Sequence, residues 1–302
     1  KLDGVEEVAQ EEEPFSLNGL EKYKIGQDLL NAADVDVALS QLHLSGQLPI
    51  AAFGARTVAE FQREVALVLQ RRRPWTQIYP HPVPAQSVAL ELEGFTITGT
   101  LVGLFSQHQL GAAPPSWLQL HQRLGKVAEG KEDGLTARVH IVAGLWVNHL
   151  AACASGMNVV SVQLGLDDHV VFNALSVDEA QAALKRLLTT YQAAWQRPLP
   201  VACKTAWAYL QVQMKNDRRD ADGAGKEPKD PHEVAEPFFT GSFNVTGELQ
   251  ESAYLARAFA DYEDIEAGLA LWAEPIYGDL ARHVRVGQAA GPSATPVAGA
   301  GA

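Results

Sequence analysis

Apolar residues recur at helical spacing over the first third of the chain and then switch to alternation. Leu17, Leu20, Leu29 and Leu30 form one stripe that Ser16 can cap. Thr57-Val58-Ala59-Glu60 has the capping-box spacing ahead of a second stripe of Phe61, Val65, Val68 and Leu69. The second helix is expected to end at Arg71-Arg72-Arg73, where positive charge suits the carbonyl end and Pro74 forbids continuation. From Ser87 the period becomes two: Val88, Leu90 and Leu92 alternate with Ala89, Glu91 and Glu93. Gly94 supplies a tight turn, and Phe95 to Phe105, β-branched and aromatic, returns as the more deeply buried strand.

A third strand is expected near Leu135. A helix with Val142, Leu145, Trp146, His149, Leu150 and Cys153 on one face follows, ending at Gly156. Val159 to Leu166 and His169 to Phe172 read as a hairpin across Asp167-Asp168. Ser176-Val177-Asp178-Glu179 is a capping box that opens a long helix carrying Ala180, Leu184, Leu187, Leu188, Tyr191 and Trp195.

The pattern divides the chain into an acidic linker (1–14), an N-terminal helical part (15–85), an α/β core (86–214), an exposed charged loop (215–236), a C-terminal helical part (237–287) and a disordered tail (288–302). No formal charge occurs in 94–122 or 139–166, so the charged window from Arg123 to Arg138 reads as a surface loop between two core pieces. His140, Asn148, His149, Ser155, Gly156 and Asn158 interrupt the second run, which argues against a bilayer span.

The 302 residues carry 24 Lys and Arg against 36 Asp and Glu, a net charge of −12. Such a balance disfavours a free-standing duplex-DNA binder but leaves room for a local basic groove. Cys153 and Cys203 are too few for a disulfide framework, and the N-terminus has no signal-peptide pattern, so a soluble cytoplasmic protein is expected. The opening Lys1 reads as the start of a piece cut from a longer protein.

Several chemistries can be weighed on spacing. Asp222-Gly223-Ala224-Gly225-Lys226 resembles the end of a phosphate loop, but Asp220 and Glu227 replace its first Gly and its metal-binding hydroxyl; no cofactor is expected. His149 and Cys153, four apart on an apolar helix face, read as core. Arg71 to Arg73 read as helix-end charge or as phosphate contacts. Metal-dependent nuclease chemistry needs an Asp on one strand and an Asp/Glu-x-Lys set on the next. Glu129-Gly130-Lys131 and Glu227-Pro228-Lys229 have the bare spacing, but both lie in loop patterns, and no Asp occurs between Asp36 and Asp133.

The stretches Glu11 to Leu20, Gly46-Gln47-Leu48-Pro49 with Ala52-Phe53-Gly54, Phe95 to Gly99, Trp146 to His149 leading to Cys153-Ala154-Ser155-Gly156, and Tyr254 to Phe259 together resemble the C-terminal region of the RecC family. These proteins are the gamma chains of exodeoxyribonuclease V, the RecBCD helicase-nuclease. The resemblance implies an inactive PD-(D/E)XK nuclease-like core with added helices. Gly99-Thr100-Leu101-Val102 then puts Val102 where active relatives carry the metal-binding Asp, and near Leu135 to His140 neither Arg138 nor His140 rebuilds the site. No catalytic, cofactor or metal residue is therefore assigned.

The resemblance further implies a scaffold in DNA repair and recombination: contacts with RecB and RecD, chiefly RecD, and DNA strands led through the complex. Chi recognition is credited to residues mainly upstream, so no base-reading residue is assigned here. The complex is an exonuclease and helicase, whereas this domain is expected to have no activity of its own. Two alternatives are an active magnesium nuclease with relocated carboxylates, using Glu91 or Glu93 with Glu129 and Lys131, and a stand-alone adaptor.

Overall fold

The computed structural model describes residues 16–108, 116–130, 135–222, 228–243 and 245–287, without the side chains of 219–222. Three helices come first: α1 (Gly19–Asn31), α2 (Val35–Leu44) and α3 (Ala51–Ile78). Asn18 caps α1 in a capping box with Glu21, so the cap lies two residues beyond the expected Ser16. The Thr57 to Glu60 box does not open α3. That helix begins six residues earlier, and the Thr57 hydroxyl donates to the Phe53 carbonyl one turn back.

Nor does α3 end at the arginines. It runs through Pro74, which is exposed and forfeits one backbone bond, because Trp75 and Tyr79 beyond it are buried. Burial of those two rings outweighs the lost bond.

The strands are β1 (His81–Val83), β2 (Gln86–Leu92), β3 (Phe95–Leu101), β4 (Leu104–Ser106), β5 (Ser116–Gln122), β6 (Ala128–Glu129), β7 (Thr136–Ala137), β8 (Asn158–Leu164), β9 (His169–Phe172) and β10 (Val284–Val286). Six form one sheet in the order β1-β4-β5-β8-β9-β10. The β5–β8 pair is parallel and the other four pairs are antiparallel. The crossover between β5 and β8 runs through α4 (Val139–Ala154). The fold is thus α+β with a mixed sheet.

The β2–β3 hairpin turns through Glu93 and Gly94, both at positive φ (53° and 77°), as a two-residue turn of this kind requires. It forms a separate two-stranded sheet, and of β3 only Leu101 is buried, so the returning strand is neither deep nor continuous to Phe105. The chain breaks at Val102-Gly103. Gly103 has φ 70°, and a Cβ there would lie 2.6 Å from the Leu120 carbonyl oxygen, so glycine lets β4 close onto β5. The strand expected near Leu135 is only β7, paired with β6. The strand that leads into α4 on the main sheet is instead β5.

Alternation on the sheet sorts two cores. Leu118 and Leu120 of β5 with Val162 and Leu164 of β8 face Leu29, Phe61, Val65 and Val68 of the first three helices. Trp117, Val159, Val170 and Phe172 face Val142, Trp146 and Leu150 of α4 and, beyond it, Ala180 and Leu184 of α5 (Val177–Gln196). Ser176 and Glu179 form the expected capping box of α5, and β8–β9 is the expected hairpin.

Helix α6 (Cys203–Asp222) continues well past Lys215, where a loop was expected, and α7 (Pro231–Thr240) already begins inside that window; residues 223–227 lie outside the described residues. The helix persists because Trp207 and Leu210 are buried in the core shared with α4, and Met214 packs against that core. The remaining helices, α8 (Glu248–Glu251), α9 (Ala253–Ala258), α10 (Glu263–Ala273) and α11 (Asp279–His283), join α10 to α11 by one π-turn (Glu274–Gly278). The expected helical C-terminal part is tied to the core in two ways. Strand β10 pairs with β9, and the buried Glu248 carboxylate accepts from the Lys204 and Thr205 amides and the Thr205 hydroxyl at the start of α6.

Candidate functional site: a cleft at the strand ends

Strands β5 and β8, being parallel, end together, and the carboxyl end of such a pair is where open α/β sheets bind ligands. A cleft of about 670 Å³ opens there. Val102 and Gly103 enter it from the β3–β4 break, and His121, Gln122 and Arg123 from the end of β5. Gln163 of β8, Tyr23, Gln27 and Leu30 of α1, Arg72 of α3 and Ile141 of α4 complete its walls.

The register explains the convergence. Leu104 lies opposite Gln119 and the Leu120 amide donates to the Gly103 carbonyl at 2.8 Å, so one further step places Val102 opposite His121. His121 in turn is the register partner of Gln163.

The cleft wall is polar but, among the described residues, contains no Asp or Glu. Arg123 lies over the Tyr23 ring and Arg72 over the Phe105 ring, each 5.6 Å from the centroid. Among the described residues neither arginine has a carboxylate partner within 4.0 Å. Gln122 donates to the Leu30 carbonyl at 3.0 Å and so ties β5 to α1. Four buried polar atoms on this wall have no hydrogen-bond partner among the described residues: Gln27 Nε2, His121 Nε2, Gln122 Oε1 and Arg123 Nε. Half-burial lowers the His121 pKa, an effect partly offset by the Val102 carbonyl.

The neighbouring Arg71 is differently engaged. Its guanidinium donates to the carbonyls of Gly165, Leu166 and Asp167 in the β8–β9 turn. The Asp167 carboxylate accepts from the amides of Val127 and Ala128, so the Arg123–Arg138 window is anchored at its centre, with Val127, Ala128 and Ala137 buried. It is not a simple surface loop.

The other candidates from the sequence do not converge. Glu91 and Glu93 sit on the exposed hairpin, and Glu93 pairs with Lys185 at 2.9 Å. Glu129 pairs with Arg138 at 3.6 Å, while Lys131, Asp133 and the Gly223 to Glu227 stretch lie outside the described residues. His140 is exposed at the start of α4, and partial desolvation together with nearby Arg138 lowers its pKa. His149 is fully buried, with Nδ1 2.9 Å from the Ser161 hydroxyl, Nε2 3.1 Å from the Asn173 carbonyl and the Cys153 sulfur 3.7 Å away. Burial pushes its pKa down to about 4 and pushes the Cys153 thiol up. A neutral ring carries one N–H; since the Asn173 carbonyl can only accept, Nε2 donates to it, and Nδ1 faces the Ser161 hydroxyl, which also donates to Gln119 Oε1 at 3.2 Å. Both residues act as packed core, as their helix face indicated.

Sequence reasoning singled out Val102 and the Arg71 to Arg73 run but not the cleft that joins them, because it looked for carboxylates and because Gln27, Arg72, Val102, His121 and Arg123 come from four separate segments. One signal was available: His121-Gln122-Arg123 has the polar-x-cation spacing of an Asp/Glu-x-Lys set, at the end of a charge-free apolar run.

Comparison with known proteins places this arrangement in a family: the chain belongs to the RecC C-terminal domain family, which matches residues 1–213. One curated relative is the RecBCD enzyme subunit RecC of Escherichia coli (strain K12), 29% identical over 211 residues. The match covers 66% of this chain but only 16% of that protein. The Tyr254 to Phe259 stretch lies beyond the family match.

Proposed function

We propose that this chain is the non-catalytic, nuclease-like C-terminal domain of a RecC-type subunit. It serves subunit assembly and DNA-strand guidance in a RecBCD-type helicase-nuclease during cytoplasmic repair of double-strand breaks by homologous recombination. The observation that carries this reading is the geometry at the strand ends. A helix, three successive antiparallel strands of the main sheet, a crossover helix and a parallel strand follow one another as α3, β1, β4, β5, α4 and β8. That order, with the β2–β3 hairpin inserted, supports a PD-(D/E)XK-like core.

In such a core the metal-binding acid would stand at Val102, and the Glu-x-Lys pair on the facing strand would be His121 and Arg123. A valine, a half-buried imidazole and a guanidinium are a poor set for magnesium, which takes oxygen ligands. A fold that keeps the architecture and lacks the ligands is suited to holding partners. The membership of this chain in the RecC family supports RecB-like and RecD-like subunits as its partners, and we take the RecD-like subunit as the main contact. Among the described residues no helix is long and apolar enough to cross a membrane.

Two measurements test the reading. Linear DNA with magnesium stays intact in the presence of the chain; cleavage that is lost on changing Glu129 or Lys131 overturns the non-catalytic assignment. In pull-downs against separate RecB-like and RecD-like subunits, the RecD-like subunit is retained; retention of neither overturns the assembly role.

A further inference from the structure

Eight buried side-chain N or O atoms lack hydrogen-bond partners among the described residues, and four of them line the one cleft at the strand ends. Buried polar groups are paired in native proteins, so a concentration of exceptions in one concavity marks where a ligand supplies the missing contacts. The chemistry of the wall decides which ligand.

Arg72 and Arg123 bring two fixed positive charges, and among the described residues no Asp or Glu lines the cleft to neutralise them. Of the four unpaired atoms, Gln27 Nε2 and Arg123 Nε are N–H donors suited to an anion, whereas Gln122 Oε1 can only accept and is not matched by a phosphate oxygen. Both guanidinium planes are braced against rings, Arg72 on Phe105 and Arg123 on Tyr23, which holds them in place while leaving their N–H edges available. Cations and N–H donors without an opposing acid select an anion, and the planar fork of arginine matches the paired oxygens of a phosphate. The volume of about 670 Å³ exceeds what one phosphate ion fills and falls in the range of sites for larger organic ligands.

We propose that the cleft formed by Gln27, Arg72, Val102, His121 and Arg123 seats a backbone phosphodiester of a single nucleic-acid strand, held by the two arginines where a nuclease would hold its metal. The inference rests on the strand-guidance reading above and assigns that role to particular side chains. In place of the carboxylate–metal–phosphate arrangement of a nuclease, arginine meets the phosphate directly, so the strand is gripped without being cut. Val102 contributes by what it lacks: a carboxylate at that position would repel the same phosphate.

The test is fluorescence anisotropy of a labelled oligothymidylate with the full 302-residue chain and five variants. Arg72→Gln and Arg123→Gln each weaken binding by at least about fivefold, as loss of a charged hydrogen bond predicts. The double variant lowers the salt slope of log K by about 1.4, two contacts at the single-strand value. Val102→Asp, at a half-exposed position where folding is not at stake, weakens binding to a similar extent. Arg73→Gln, one residue along α3 but outside the cleft, stays within twofold of the wild type.

Circular dichroism of each variant keeps a folding defect from passing for a binding one. Unchanged affinity and salt slope in folded Arg72, Arg123 and Val102 variants overturn the cleft while leaving strand guidance to another surface. Absence of oligothymidylate binding by the wild-type chain overturns the proposal together with strand guidance by this domain. Displacement of the bound oligomer by millimolar inorganic phosphate as readily as by unlabelled oligomer reduces the site to one for the free ion and likewise overturns the strand as its occupant.

Discussion

Acidifying the protein from pH 7.5 to pH 4 should cost stability at one identifiable residue. His149 lies at the centre of the α4 face of the sheet, fully buried, stacked 5.7 Å from Trp146 and bonded through both nitrogens to groups that suit the neutral ring. Burial holds its pKa down to about 4; the Asn173 carbonyl raises it somewhat, and His283 of α11, which also stacks on Trp146, lowers it. In the unfolded chain the ring titrates near 6.5. The unfolded state therefore takes the proton first. The penalty is zero above about pH 6.5, grows through the window below it and is complete below about pH 4. A difference of about 2.5 between the two pKa values, at about 1.4 kcal/mol each, gives about 3 kcal/mol.

His121, His140, His169 and His283 are also lowered by burial and share part of this window, so the measurement has to be a difference. Urea midpoints of the wild type and of His149→Gln, taken at half-unit steps of pH, give two stability curves. Between pH 6.5 and 4 the wild-type curve is steeper by up to one proton, although the variant is less stable at pH 7.5 for lack of the ring. Parallel curves would refute the reasoning, since they would mean that His149 takes up no less proton folded than unfolded.

Three further outcomes are expected. Glu248→Ala removes the acceptor of three hydrogen bonds at the start of α6, one of them at 2.8 Å to a buried amide; it should cost about 2–3 kcal/mol in urea midpoint and raise amide exchange in the first turn of α6. Phe61→Ala empties a fully buried position of α3 against the sheet and should cost about 3–5 kcal/mol in the same assay. Glu93→Asn replaces a residue held at φ 53° by one that tolerates it; because the ion pair with Lys185 is exposed and weak, thermal unfolding should move up by a few degrees at most and should not fall.

What could be read from the sequence was what local chemistry decides. The β8–β9 hairpin was visible as two apolar runs across Asp167-Asp168, and Ser176 with Glu179 marked the start of α5, because cap and turn are both settled within four residues. Helix α3 misled at both ends for opposite reasons. It starts at Ile50 without any side-chain cap, and it passes Pro74 because tertiary burial of Trp75 and Tyr79 overrides a local penalty. Strand β5 stayed hidden within a run of 29 uncharged residues whose alternation is masked by burial on both faces. The cleft could not have been assembled from spacing, since Gln27, Arg72, Val102 and Arg123 meet only when α1, α3 and the β4–β5 register are in place.

The three carbonyls gripped by Arg71 bear on its neighbour. With Arg71 pinned to the β8–β9 turn and Pro74 two residues beyond Arg72, the backbone carrying Arg72 has little freedom left, and the Phe105 ring restricts the side chain itself. The ordering that an incoming phosphate would otherwise impose on that arginine is completed during folding. Release of the Arg71 clamp, as in Arg71→Ala, is therefore expected to act on a strand in the cleft as a faster off-rate with little change in on-rate, although Arg71 itself never touches it.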